Sequence, residues 1–242
     1  MDWRNALARV PMPDKTNVAQ SATRDAFRYA NWQKHRLDPR YNRTYPFADD
    51  YAELDGQRFT REQVFADFNR SLDKGIISSI KWGYPTGGKP GGGWMAFSEA
   101  FRCPTFGKAI QAFRKTRSSS AHMLVSSLNS LVSGVGTATT SKIAHFAGLM
   151  VVGGGQELRC LIYDSMVRRA IKRLKIPEFE QLKSTLAIRK ADIPPAIQEL
   201  TYGSYLVAVE AFARCHSVEV DQVELWLFKV GRLMRPDGQF KD

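Results

Sequence analysis

Two features of the chain have the residue types and spacing to do chemistry together. Gly134-Val135-Gly136 separates two apolar-periodic stretches, and Asp164 stands between Leu161-Ile162-Tyr163 and an arginine-rich segment. Paired glycines permit φ > 0 and let backbone approach a ligand with no Cβ in the way. The first N–H groups of the helix after such a turn lack intrahelical acceptors and carry partial positive charge, which suits a phosphate oxygen. Val135 is expected to pin the turn between its helices, with Thr137, Thr139 and Ser141 adding hydroxyl donors. Nothing in the turn reads a base, so it would anchor a nucleic-acid backbone without sequence preference. A lone carboxylate beside C1′ is what N-glycosidic bond cleavage needs, because positive charge builds on the sugar and a water must be oriented or deprotonated. Asp164 is the candidate for both roles. Taken alone, Gly-Val-Gly is an ordinary interhelical turn and Asp164 a helix N-cap; their combination with basic charge favours the chemical reading.

The elements that must hold these groups are helical. Ser21 is expected to cap a helix to about Arg36, within a largely irregular N-terminal part over about 1–59. Thr60-Arg61-Glu62-Gln63 is a capping box opening a helix with Val64, Phe65, Phe68 and Leu72 inward, closed by Gly75. Trp82 to Trp94 is so rich in Gly and Pro that a loop is expected. Short helices are expected at about 94–102 and 105–117, the hairpin pair at about 119–132 and 138–149, and the Asp164 helix to about Lys175. Gly153-Gly154-Gly155 is expected to be a flexible connection. Pro194 and Pro195 introduce a long helix, and a last helix runs from about Val220 to Met234. The predicted fold is all-α, a single domain over 1–242 with two helical lobes around a DNA-binding cleft: the hairpin and Asp helix at about 118–175, C-terminal helices at about 176–242.

Composition agrees with a polyanionic partner. Lys and Arg number 35 against 24 Asp and Glu, a formal charge of +11, and phosphate neutralisation supplies most non-specific DNA affinity. A basic but solvated surface is the alternative. Cys103, Cys160 and Cys215 form no CxxC pair, which excludes a zinc ribbon or a four-cysteine iron–sulfur site and suits a reducing cytosol. His35, His122, His145 and His216 show no metal-ligand spacing, so no catalytic metal is expected. The glycine runs lack the Lys-Ser/Thr of a P-loop. With no signal-peptide pattern and no apolar run of membrane-spanning length, a cytoplasmic, monomeric protein free of membranes is expected.

The Gly-Val-Gly hairpin followed by Asp164, Val167, Arg169, Arg173 and Leu174 resembles the helix-hairpin-helix DNA glycosylases, and Tyr163-Asp164-Ser165 is similar to their bacterial 8-oxoguanine-glycosylase-like branch. The specific resemblance covers about residues 118–175. It implies a DNA glycosylase that flips a base from double-stranded DNA and excises it, with an oxidised purine such as 8-oxoguanine as default substrate. It also implies Gly134, Val135, Gly136, Thr137, Thr139, Ser141, Arg168 and Arg169 as DNA-binding residues, and no cofactor beyond a structural monovalent cation at the hairpin. The chain departs from the family pattern in Ser133, where Pro is usual, and in a longer connection from Gly136 to Asp164. Bifunctional members carry Lys two positions after the second glycine, where this chain has Ala138.

Lys142, one turn beyond Ala138 on the same helix face, is the candidate Schiff-base nucleophile for strand cleavage, with a phosphate-contacting or solvated lysine as the alternative. Trp82, Tyr84 and Trp94 are candidates for the base pocket, equally able to serve in the core. Two further readings stay open: excision of an enzymatically modified base from phage DNA as an antiviral defence, and a non-catalytic helix-hairpin-helix module in which Asp164 only caps its helix. Position discriminates the latter, since a carboxylate engaged only with its own helix N–H groups would favour the module.

Overall fold

The protein is seen in a computed structural model that describes residues 1–23, 25–33, 37–38, 43–44, 52–86, 104–117, 119–131, 135–187, 195–234 and 240. Helices dominate, as the periodicity predicts. The N-terminal part carries three short ones, α1 (Trp3–Arg9), α2 (Lys15–Ala19) and α3 (Tyr29–Gln33), and a two-stranded pair, β1 (Leu37–Asp38) with β2 (Arg43–Thr44). The helix expected from Ser21 begins only at Tyr29. Ser21 instead donates its hydroxyl to Val18 O and accepts the Arg61 N–H at its carbonyl, while Ala22 bridges to Thr60 in extended backbone.

Thr60 opens α4 (Arg61–Arg70) with the expected capping box: its hydroxyl accepts from Gln63 N at 3.2 Å and Gln63 Oε1 accepts from Thr60 N at 2.7 Å. Gly75 does not close this helix. The chain breaks at Ser71, whose hydroxyl caps a new helix, α5 (Leu72–Gly83), and Gly75 lies inside it. A Cβ there would stand 2.2 Å from Phe68 Cγ, so glycine is what lets α5 fold back against α4. Trp82 therefore ends a helix rather than opening a loop, and the rest of the expected loop, with Trp94, lies outside the described residues, as does the helix expected at 94–102.

Next come α6 (Pro104–Thr116), α7 (Ala121–Leu131) and α8 (Thr137–Phe146). The Gly153-Gly154-Gly155 segment is not a loose connection. It turns a hairpin of β3 (Met150–Gly153) and β4 (Gln156–Arg159), in register Val151 to Leu158. Gly154 and Gly155 have φ of 58° and 79°, the pair of positive values that a type I′ turn requires. A segment outside helix and strand, from Cys160, then leads to α9 (Ser165–Arg173), followed by α10 (Glu180–Ala187), α11 (Pro195–Cys215) and α12 (Val220–Leu233).

Apolar side chains from Ala6 to Phe240 form one contiguous core. α5 packs on α4 and α8, α7 lies beside α8 and α11, and α12 covers α9. Within this core Arg61 and Glu224 form a fully buried bidentate pair, with N–O distances of 2.7 and 3.1 Å. Such a pair offsets its desolvation only when doubly bonded, so it fixes α4 against α12 more by specificity than by net stability. Among the described residues no helix is long and apolar enough to cross a membrane, and no group of three His, Cys, Asp or Glu is placed to hold a metal.

Candidate active site

The N-terminus of α8 is the first component. Gly136 is its N-cap at φ −99° and ψ 173°, with no side-chain cap bond. That backbone is ordinary extended geometry, so the freedom expected of glycine is not used for φ > 0 here. What Gly136 supplies is open space: an added Cβ would meet nothing within 4 Å. Val135 is buried. Gly134 lies outside the described residues.

The hydroxyls expected at this end turn inward. Thr139 is buried and bonds the Tyr84 hydroxyl at 3.1 Å. Ser141 is fully buried and accepts the Tyr163 N–H at 3.0 Å. Thr137 is buried as well. Both bonded hydroxyls tie α8 to its neighbours, because α8 is the central helix of the site and α5 and the segment before α9 press on it from two sides.

Asp164 is the second component, the N-cap of α9. Its Oδ1 accepts from Met166 N at 2.9 Å and Val167 N at 3.1 Å, which satisfies two orphan donors. The other oxygen, Oδ2, lies 3.8 Å from Lys142 Nζ. The carboxylate thus divides its work: one oxygen is spent on the helix and the other faces the amine. The Asp164 side chain keeps 13% of its surface open to solvent and Lys142 keeps 7%.

Lys142 reaches this point by curling back along α8. Its Nζ donates to Ala138 O at 3.0 Å, one turn toward the N-terminus, so the amine stands beside the backbone of the position where the resemblance expected a lysine. The stem passes over Gly83, where an added Cβ would lie 3.0 Å from Lys142 Cδ. The amine also sits 6.0 Å from the centre of the Tyr84 ring. Tyr84, at the end of α5, is therefore part of the enclosure around the lysine.

The remaining candidates separate. Trp82 is buried in the core, edge-on to Phe146 at 5.2 Å and beneath the Arg61 guanidinium. Arg168 donates to Asp164 O at 3.4 Å and lies 5.8 Å over the Tyr163 ring, close to the site. Arg169 instead donates to Gly231 O and Met234 O at 3.4 and 3.2 Å. It caps the C-terminal carbonyls of α12, so its charge is directed away from Asp164.

Several residues around the site carry no motif. Gly83 makes room for Lys142. His145, on α8, is fully buried, and burial together with Arg61 and Arg159 holds its pKa well below 6.5. Tyr202 and Tyr205 on α11 donate to Leu161 O and Ile162 O, and burial pushes both hydroxyls far above the usual phenol range. Burial likewise raises Tyr163 to about 12. The tyrosines' spacing, three apart on a long helix, is visible in the sequence but reads there only as core.

The uncapped N-terminus of α8, a half-engaged carboxylate and an enclosed amine thus lie on neighbouring parts of α8 and α9. Neither a curated protein nor a solved structure matches the chain. Residues 16–228, from within α2 to within α12, match the family described as "Putative 8-oxoguanine DNA glycosylase OGG-like protein". With that match covering most of its length, the chain belongs to this 8-oxoguanine-glycosylase-like family.

Proposed function

We propose that this protein is a DNA glycosylase that flips a damaged base out of double-stranded DNA and hydrolyses its N-glycosidic bond, with an oxidised purine such as 8-oxoguanine as substrate. The observation that carries the reading is the divided engagement of Asp164. A carboxylate serving only as a cap would need only Oδ1; here Oδ2 faces Lys142 at 3.8 Å.

In this mechanism the α8 N-terminus holds a phosphate of the lesion strand, with Arg168 adding charge nearby. As the C1′–N bond lengthens, the electron pair leaves with the base and positive charge grows on the sugar. Asp164 Oδ2 stabilises that charge and accepts a proton from water as the water oxygen bonds to C1′. The base takes up a proton and departs. The Lys142 nitrogen then condenses with the C1′ aldehyde of the ring-opened abasic product, losing water to form an imine; loss of a C2′ proton makes the C2′–C3′ double bond and expels the 3′-phosphate as C3′–O breaks, and water hydrolyses the imine to return the lysine. Tyr84 and the Gly83 surface keep bulk water from the amine.

The test is base release by mass spectrometry, with wild type and Asp164→Asn incubated with duplexes carrying oxidised, alkylated, deaminated and phage-type modified bases. Release of an oxidised purine by wild type alone supports the reading. Release of another base would reassign the substrate, and no release with DNA binding intact would favour a binding module.

A further inference from the structure

Cys160 N still donates to the backbone at Leu149 O, next to the β3–β4 hairpin, and from there into Asp164 four backbone polar groups are held in turn by side chains. Cys160 O lies 3.1 Å from His145 Nδ1. Leu161 O accepts from the Tyr202 hydroxyl at 2.9 Å, and Ile162 O from the Tyr205 hydroxyl at 3.1 Å. Tyr163 N donates to Ser141 Oγ at 3.0 Å. Four consecutive residues are thus gripped by two pairs of side chains, Ser141 with His145 on α8 and Tyr202 with Tyr205 on α11. The spacing within each pair, four and three residues, places its members on one helix face.

We propose that Ser141, Tyr202 and Tyr205 are positioning residues that set the Asp164 carboxylate at its distance from Lys142. The proposal rests on the glycosylase reading for its consequence in rate, and on geometry for its substance. Ser141 precedes Lys142 and Tyr163 precedes Asp164, so the Ser141–Tyr163 hydrogen bond is a ruler laid directly beside the pair. The tyrosines fix the same segment from α11. Tyr163 completes the grip by stacking on Tyr205, centroids 4.6 Å apart and planes 25° apart, with Arg168 over its ring.

The chemistry of the holders suits a rigid grip. A carbonyl can only accept, so His145 must carry its proton on Nδ1, and a neutral imidazole does so. Buried phenols that do not ionise remain donors over the whole working pH range. A strand partner would satisfy the same backbone groups, but it would not couple them to the helix that carries the lysine. Misplacement of a reacting group by about 1 Å costs on the order of 10²-fold in rate, so such coupling has a measurable effect.

Tyr205→Phe, Tyr202→Phe and Ser141→Ala test the proposal through crystal structures of each variant, single-turnover release of 8-oxoguanine, and affinity for duplex DNA carrying a tetrahydrofuran abasic analogue. The expected result is an Asp164 carboxylate displaced by about 0.5 Å or more from Lys142, release slowed by about tenfold or more, and analogue affinity within about twofold of wild type. Tyrosine variants in which Asp164 keeps its place, or in which analogue binding falls as far as the rate does, would overturn it. Should wild type release no base, the glycosylase reading fails, while displacement of Asp164 in the variants still decides the positioning role. Single Phe substitutions remove one oxygen each and keep the rings packed, so loss of fold does not mask the answer.

Discussion

Gly83 and Lys142 are fitted to one another: a β-carbon at residue 83 would lie 3.0 Å from Lys142 Cδ and 3.3 Å from Cε. The lysine stem lies along a strip of bare backbone at the end of α5, and this contact, with the hydrogen bond to Ala138 O, aims its amine at Asp164. Gly83→Ala is expected to push the stem aside. The clash is with a flexible side chain, and Ala favours the helix, so stability should change by no more than about 1 kcal/mol. Borohydride trapping of the protein on abasic DNA should fall at least about tenfold, with DNA binding retained. Undiminished trapping would show that the amine does not depend on this fit.

Substitution can separate the helix cap that Asp164 forms from the catalytic role proposed for it. Asn is as good an N-cap as Asp, so Asp164→Asn should keep the bonds to Met166 N and Val167 N and leave the melting temperature nearly unchanged. Base release should drop by at least about 10²-fold, because the charge facing C1′ is gone. Asp164→Ala should lose the activity and also about 1 kcal/mol from the unequipped helix end. The check is denaturant unfolding beside single-turnover kinetics on the same preparations. An active Asp164→Asn would reduce this residue to a cap.

The hairpin helices, the Asp helix and the two C-terminal helices are legible in the sequence because each has an apolar period and a local start signal. The capping box at Thr60 reads to the residue for the same reason. The break at Ser71 does not, since Gly75 looks like a helix end unless one knows that Phe68 packs against it. The β3–β4 hairpin is hidden because three glycines signal flexibility equally with a type I′ turn. At the site, Asp164 and Lys142 are visible as residue types one helix apart. That Ser141 faces Tyr163 and that Arg169 caps α12 depend on contacts between elements distant in the chain, which no local pattern encodes. Tyr84 stands between these cases: an aromatic was expected near the chemistry, and it lies against the lysine and Thr139 rather than in a defined base pocket.

His145 should make stability depend on pH in a defined direction. Its pKa in the fold is held well below 6.5 by burial first, then by Arg61 and Arg159, while the bond to Cys160 O acts weakly the other way. Below pH 6.5 the unfolded chain takes up a proton that the fold refuses. Stability should therefore fall as pH drops through 6.5 toward the folded-state value, by up to about 1.4 kcal/mol per pH unit. Asp221 and Glu224, raised by burial, act in the opposite sense, becoming less costly as pH falls toward their own range. His145→Asn keeps a donor near Cys160 O but does not titrate. The difference between its unfolding free energy and that of wild type should shrink steadily from pH 7 to pH 5. A constant difference would mean that the buried imidazole is not the source of acid sensitivity.

Gly136 offers a substitution in which fold and binding should move in opposite directions. It is an N-cap without a capping side chain, its backbone is extended, and a Cβ there meets nothing. Gly136→Asp therefore costs no strain and supplies a side chain that can accept from the first N–H groups of α8. Replacing Gly by Asp at such a position stabilises a helix by at most a few tenths of a kcal/mol, and a negative charge at this end favours the dipole by a comparable amount. The same carboxylate would occupy the place of a DNA phosphate and repel it. The expected outcome is a melting temperature equal to or above that of wild type, with DNA affinity reduced about tenfold or more and equally for duplexes of unrelated sequence. Fluorescence anisotropy at two salt concentrations checks this, since removal of a phosphate contact should also flatten the salt dependence. A loss confined to one sequence would place base reading at the hairpin, and unchanged affinity would move the backbone anchor elsewhere.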